Sequence, residues 1–92
     1  MERIGFKNSR NLNLVGELFP GGGSVVIIMA HGLTGDRHEG GRFDRTAQAF
    51  NSSGFNVFRF DFSGSGQSDD DDLTVEGQVD DLRCAIDYVK SR

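Results

Sequence analysis

The sequence predicts an α/β fold in which two strands of a parallel sheet are joined by a helix and followed by a second helix. Three observations carry this. Val25–Ala30 is an unbroken apolar run rich in β-branched residues. Phe55–Phe62 reads Phe-Asn-Val-Phe-Arg-Phe-Asp-Phe, a second strand-forming run. Between these runs, and again after the second, apolar residues recur at helical spacing.

The first element is a hairpin over residues 2–19. In residues 2–8, Ile4 and Phe6 alternate with Gly5 and Lys7. In residues 12–19, Leu12, Leu14, Gly16 and Leu18 share one face, and Asn13, Val15, Glu17 and Phe19 share the other. Asn8-Ser-Arg-Asn11 between them is turn-forming. Pro20-Gly-Gly-Gly-Ser24 then reads as a hinge.

The run 25–30 has no polar alternation, which is the pattern of a strand buried on both faces inside a parallel sheet. So short a run also fits a buried helix, and β-branched Val25, Val26, Ile27 and Ile28 decide for strand. Leu33–Gly41 is a polar, Gly-rich loop. Phe43, Ala47 and Phe50 predict a helix over about residues 42–51, with Gly54 as its stop. The strand 55–62 follows, then a loop over Ser63–Asp72. The last helix, 74–90, is the clearest, because Val75, Val79, Leu82, Ile86 and Val89 lie on one stripe. Thr74 is its N-cap, the acids at 69–72 and 76 suit its positive end, and Lys90 and Arg92 suit its negative end. A strand–helix–strand unit implies a right-handed parallel crossover.

With 92 residues the chain makes one small domain. At this size roughly 60–65% of the unfolded surface can be buried. An apolar content of 36% with 8 Phe supports a folded domain over a disordered one. The formal charge is −4, with consecutive acids from Asp69 to Asp72. An acidic chain without a basic patch argues against nucleic acid and anionic membranes as partners. One Cys cannot form an internal disulfide, which fits a reducing, cytoplasmic location. No segment approaches the ~18 apolar residues of a membrane span. Met1-Glu-Arg-Ile-Gly-Phe lacks the long apolar core of a signal peptide.

Two motifs sit at the carboxyl ends of the two central strands. The first is Val25-Val-Ile-Ile-Met-Ala-His31-Gly32-Leu33. The second, about thirty residues later, is Phe60-Asp61-Phe62-Ser63-Gly64-Ser65-Gly66-Gln67-Ser68. With Phe43, Ala47, Phe50 and Gly54-Phe55-Asn-Val57 between them, these residues resemble the α/β-hydrolase superfamily over about residues 12–90. The family's usual form of the second motif is Asp-x-Arg-Gly-x-Gly-x-Ser. The chain is similar to small esterases of the feruloyl or cinnamoyl type, to acylglycerol lipases and to related serine peptidases. The resemblance implies a three-layer fold, with strands ordered 1-2-4-3-5 in the family.

The resemblance also implies hydrolysis of carboxylic esters by a serine nucleophile. Acyl transfer passes through an oxyanion, and pre-placed N–H donors stabilise it. One donor in this fold comes from the loop after the third strand, and the resemblance maps it onto the Leu33 N–H. His31, Gly32 and Thr34 would support that turn, with Gly32 allowing close backbone approach. Asp61, Gly64, Gly66 and Ser68 would form the structural turn after the next strand. Ser63 stands where the family often has an Arg that braces neighbouring loops.

The family's nucleophile lies in Gly-x-Ser-x-Gly on the next strand, and no such motif occurs in these residues. Ser65 is flanked at two residues' distance by Ser63 and Gln67, and Ser68 by Gly66 and Asp70. The expectation is therefore an N-terminal part of a serine hydrolase. It carries no nucleophile, acid or catalytic His, is inactive alone and needs no cofactor. A small ester substrate belongs to the longer parent.

Other chemistries read weakly. Gly64-Ser-Gly66 lacks the third glycine of a dinucleotide loop. His31, His38 and Glu39 have no diagnostic metal-ligand spacing. Asp69–Asp72 reads as a solvated loop, Cys84 as a packed thiol, and the Phe-rich strand as core. A second reading comes from the strand order. Without a fifth strand, Val25–Ala30 is an apolar sheet edge, which predicts a homodimer or higher oligomer joined through that strand.

Overall fold

A computed structural model describes all residues, 1–92. Strand β1 (Glu2–Lys7) pairs antiparallel with β2 (Asn13–Phe19), β2 pairs antiparallel with β4 (Asn56–Phe60), and β4 pairs parallel with β3 (Val26–Ala30). The sheet order is β1-β2-β4-β3. Helix α1 (Arg42–Ser52) connects β3 to β4, and α2 (Val75–Lys90) follows β4. The chain is thus a mixed α/β sheet with a parallel unit at one side.

The two faces of β4 explain the layers. Phe58, Phe60 and the following Phe62 point to one side, where they pack with Ile4, Phe6, Leu14 and Ala85 of α2. Phe6 meets Phe58 and Phe60 edge-on, with centroids 5.8 Å apart in each case, and stacks on Tyr88 at 5.6 Å. Val57 points to the other side, where Met29 and Ala47 of α1 close a smaller core. Gly16 is required here. A Cβ at this position would lie 2.7 Å from the Phe58 ring, so the glycine lets β2 and β4 carry a large ring between them.

Several local expectations change. Strand β4 ends at Phe60, not Phe62, because its parallel partner ends at Ala30, opposite Phe60. Beyond that point the Asp61 N–H still donates to the Val15 carbonyl at 2.9 Å, while the Phe62 N–H turns to a side chain. Residues 20–24 are tied by hydrogen bonds to Gly54 and Asn56. The Gly21 N–H donates to Asn56 Oδ1 and the Gly22 N–H to the Gly54 carbonyl, and the Asn56 amide donates back to Gly23 and Val25 carbonyls. A Cβ at Gly21 would lie 2.5 Å from the Phe55 backbone, so this glycine serves close approach.

Helix α2 is rotated relative to its apolar stripe and packs only Leu82 and Val89 of the stripe against the core. Its buried positions are Gly77, Asp81 and Ala85, with Leu82, Cys84, Tyr88 and Val89 packed against the core. Val75 and Val79 remain 71% and 51% exposed. Buried Asp81 sets this rotation, as described below. Strand β3, whose composition suits a sheet interior, lies at the edge, and only Met29 of its five residues is buried.

Candidate functional site

At the carboxyl end of β3 the chain runs His31-Gly32-Leu33-Thr34-Gly35. The Gly35 N–H donates to the Gly32 carbonyl at 3.1 Å, closing a tight turn around Leu33 and Thr34. Such a turn uses the carbonyl of its first residue and the N–H of its last, leaving the two central N–H groups free. Neither the Leu33 nor the Thr34 N–H has an acceptor within the protein. Leu33 itself is 49% exposed.

His31 holds this turn to the next one. Its ring is buried and accepts the Phe62 N–H on Nε2 at 3.0 Å. Because that N–H can only donate, the ring proton lies on Nδ1, which donates to the Gly32 carbonyl at 2.6 Å. The ring stands edge-on to Phe62 at 4.9 Å. Both nitrogens are therefore occupied by backbone.

Glu39, weighed from the sequence only as a metal ligand, shapes the same turn. Its Oε1 accepts the Gly32 N–H at 3.2 Å. A Cβ at Gly35 would fall 1.8 Å from that oxygen, whereas one at Gly32 would meet nothing nearer than 3.7 Å. A side chain at Gly35 would thus displace the Glu39 carboxylate from its place beside Gly32, while the nearest backbone atom, the Gly32 carbonyl oxygen, stays at an ordinary 3.6 Å.

The turn after β4 is organised by buried Asp61. Its Oδ1 accepts the Arg37 N–H at 2.7 Å, and its Oδ2 accepts Arg37 Nη1 at 2.5 Å and the Gln67 N–H at 3.0 Å. Ser68 Oγ donates to the Asp61 carbonyl at 2.6 Å and accepts the Val15 N–H at 2.9 Å, which joins the turn to β2. Gly66 sits at φ +50, and a Cβ there would lie 2.4 Å from the Asp61 carboxylate. Gly64, at φ +81, lies against the Asp71 carbonyl.

Arg37 belongs to a larger buried network. Arg59 Nη2 lies 2.7 Å from Glu17 Oε1, Arg37 Nε lies 3.3 Å from the same oxygen, and Arg59 also pairs with Asp44. Desolvation opposes the Glu17 charge, but the Arg59 hydrogen bond and the Arg59 and Arg37 charges outweigh it and hold the carboxyl below its ordinary value. Desolvation likewise opposes the Arg37 charge, and Asp61 and Glu17 outweigh it. Asp44 is held low by its hydrogen bond to His38 and then by Arg59.

A second network fastens α2 to the same rim. Asp81 is fully buried and accepts the Ser63 N–H at 2.8 Å, Ser63 Oγ at 2.7 Å and Asn8 Nδ2 at 2.8 Å. Arg10, from the β1–β2 turn, reaches Asp81 at 2.8 Å, Asp80 at 3.2 Å and Asp71. A guanidinium thus braces the Ser63 loop from position 10. The acids 69–72 are only partly a solvated loop: Asp69 exchanges two hydrogen bonds with the Asn13 backbone, and Asp71 pairs with Arg10.

The two turns enclose a shallow depression lined by Leu33, Thr34, Gly64, Ser65, Gly66 and Leu73. Donors are present there, but no paired nucleophile and base. Neither histidine bonds a serine: His31 bonds backbone, and His38 bonds Asp44 at 2.7 Å. No group of three or more His, Cys, Asp or Glu is placed to hold a metal ion. What the turns offer beside that depression is two backbone N–H groups without acceptors, those of Leu33 and Thr34.

Comparison with known proteins narrows the chemistry. A family model described as serine aminopeptidase, S33 matches residues 24–92. No curated protein matches significantly. Among solved structures, the Pyrococcus furiosus esterase Pf2001 superposes with a TM-score of 0.90 at 24% identity, covering 99% of this chain and 36% of that one. Est1E from Butyrivibrio proteoclasticus, solved with ferulic acid bound, gives 0.83 at 22% identity, covering 97% and 37%. A serine hydrolase homologue from Coxiella burnetii gives 0.82 at 24% identity, covering 98% and 45%. The chain thus spans about a third to under half the length of these structures.

Proposed function

This chain belongs to the serine aminopeptidase S33 family of α/β-hydrolases, and from that membership we propose that it forms the amino-terminal part of a serine hydrolase acting on carboxylic esters. Its contribution is the Leu33 N–H, one donor of the oxyanion hole. The observation that carries the reading is the Gly32–Gly35 turn, with its central N–H groups unpaired at the carboxyl end of β3. Esterases among the similar structures favour an ester over an amide. The serine, its acid and its histidine lie outside these residues, so the isolated chain is inactive. Free Cys84 fits a reducing compartment, the cytoplasm.

In this reading the chain's own residues act in three ways. Leu33 donates to the oxygen that becomes negative as the acyl carbon turns tetrahedral. His31 and Glu39 fix the turn that aims this donor, and they do so by holding backbone groups of Gly32 and Phe62. Asp61, with Arg37, holds the neighbouring turn so that the depression keeps its shape. None of these residues transfers the substrate's protons.

The test uses the longest natural polypeptide that contains these residues. A fluorophosphonate should label a serine beyond Arg92, within a Gly-x-Ser-x-Gly, and p-nitrophenyl acetate should be turned over. Leu33→Pro should lower kcat by about 10²–10³, the usual cost of one oxyanion donor. Proline removes the N–H together with the leucine side chain and fixes φ at a value that suits the second position of such a turn, so the fold should survive. Labelling of Ser63, Ser65 or Ser68, or unchanged kcat in Leu33→Pro, would refute the assignment.

A further inference from the structure

We infer, building on the hydrolase reading, that the Thr34 N–H is a second oxyanion donor, which this chain supplies beside the Leu33 N–H. The type of the turn carries this. Types I′, II and II′ each place a central residue at positive φ. Asn11 and Glu39 are the only non-glycine residues with positive φ, so neither Leu33 nor Thr34 has one. With the Gly35 N–H bonded to the Gly32 carbonyl at 3.1 Å, that leaves a type I turn. Its two central residues are near-helical, so their N–H groups point the same way, as the first free N–H groups of a helix do. Neither has an acceptor in the protein, and both residues line the same depression. Neighbouring N–H groups in this arrangement hold anions at helix N-termini.

The two donors are fixed by different means. The Leu33 N–H shares its peptide plane with the Gly32 carbonyl, which accepts from His31 Nδ1 at 2.6 Å and from the Gly35 N–H. The Thr34 N–H shares its plane with the Leu33 carbonyl, which accepts from no donor of the protein. No hydrogen bond therefore holds that second plane. Turning it over would make a type II turn and carry the Thr34 N–H away from the depression. It would also force Thr34 to positive φ, where a β-branched residue is a genuine outlier. The Cβ branch of Thr34 thus keeps the second donor aimed. With the N–H that follows the nucleophile in this fold, the hole would have three donors rather than two.

The longest natural polypeptide containing these residues tests the assignment. Replacing Thr34 by its α-hydroxy acid puts an ester oxygen in place of the N–H and keeps the side chain. The ester weakens only the Leu33 carbonyl as an acceptor, and that carbonyl has no donor to lose. On p-nitrophenyl acetate kcat should fall about 10²-fold, the usual cost of one oxyanion donor, with circular dichroism unchanged. The unsubstituted enzyme gives a second reading. Once its serine oxygen has displaced fluoride from a fluorophosphonate, the phosphoryl oxygen stands where the oxyanion would, and the Leu33 and Thr34 amide protons should both shift downfield. A kcat kept in the Thr34 ester, or an adduct that shifts Leu33 alone, would overturn the second donor and leave the hydrolase reading standing. An adduct that shifts neither amide, or a fluorophosphonate that labels no serine, would overturn both.

Discussion

His31 shows how much a single ring can fix. Its two nitrogens face opposite duties, one accepting from Phe62 and one donating to Gly32. Only the neutral ring with its proton on Nδ1 satisfies both. His31→Phe keeps an aromatic ring against Phe62, larger than the imidazole, but removes both the acceptor and the donor. The Phe62 N–H is then left buried without a partner, at a cost of about 1–3 kcal/mol. Urea unfolding should show stability falling by that amount through a lower midpoint at unchanged slope; an unshifted midpoint would mean that water replaces the ring nitrogen. The sequence displayed the His-Gly pair but not these partners, because Phe62 lies in the turn after the next strand. Glu39 and Arg37 were less legible still. Their roles are to hold Gly32 and Asp61, contacts that exist only once the loop has folded back.

At the scale of elements, α2 separates what periodicity predicts from what packing selects. The stripe Val75, Val79, Leu82, Ile86 and Val89 identified a helix, and a helix is there. The stripe did not identify the face. Asp81 must stay with its Ser63, Asn8 and Arg10 partners, and that requirement turns Gly77 and Ala85 inward and Val75 and Val79 outward. A polar anchor thus overrides part of an apolar moment, because an unpaired buried carboxylate costs more than a half-exposed valine. Val79→Lys should therefore change stability by no more than about 0.5 kcal/mol, as at ordinary surface positions. Thr74→Ala should cost about 1 kcal/mol, since Thr74 Oγ1 accepts the Gly77 N–H at 3.0 Å. Thermal unfolding of the two variants checks the pair. A larger loss in Val79→Lys than in Thr74→Ala would restore the stripe as the packed face. The hairpin needed no such correction, because alternation with a period of two leaves only two faces to choose between.

Across the whole molecule, charge is arranged so that carboxylates hold distant segments together. Glu17 on β2 meets Arg59 on β4 and Arg37 in the loop after β3; Asp44 on α1 meets Arg59; Asp80 on α2 meets Ser9 and Arg10 at the hairpin turn. None of these pairs is near in sequence, which is why composition revealed a net charge of −4 but no network. The sign of the pH dependence follows. Glu17, Asp44 and Asp80 are each held below their ordinary values in the folded state. Such groups contribute stability above their unfolded values, about 4.3 for Glu and 3.9 for Asp, and lose it as pH falls through the lower folded values. Below about pH 4 the unfolded chain binds more protons than the folded one, so stability must rise with pH there and level off above about pH 5. Glu17→Gln removes the most buried member of the set, so its acid limb should be shallower even though its neutral stability is lower. Urea unfolding between about pH 2 and 8, at one fixed chain concentration because association would itself add stability, measures both limbs. An acid limb of unchanged slope in Glu17→Gln would show that Asp44 and Asp80 carry the dependence, and with them the surface rather than the space beneath the two turns.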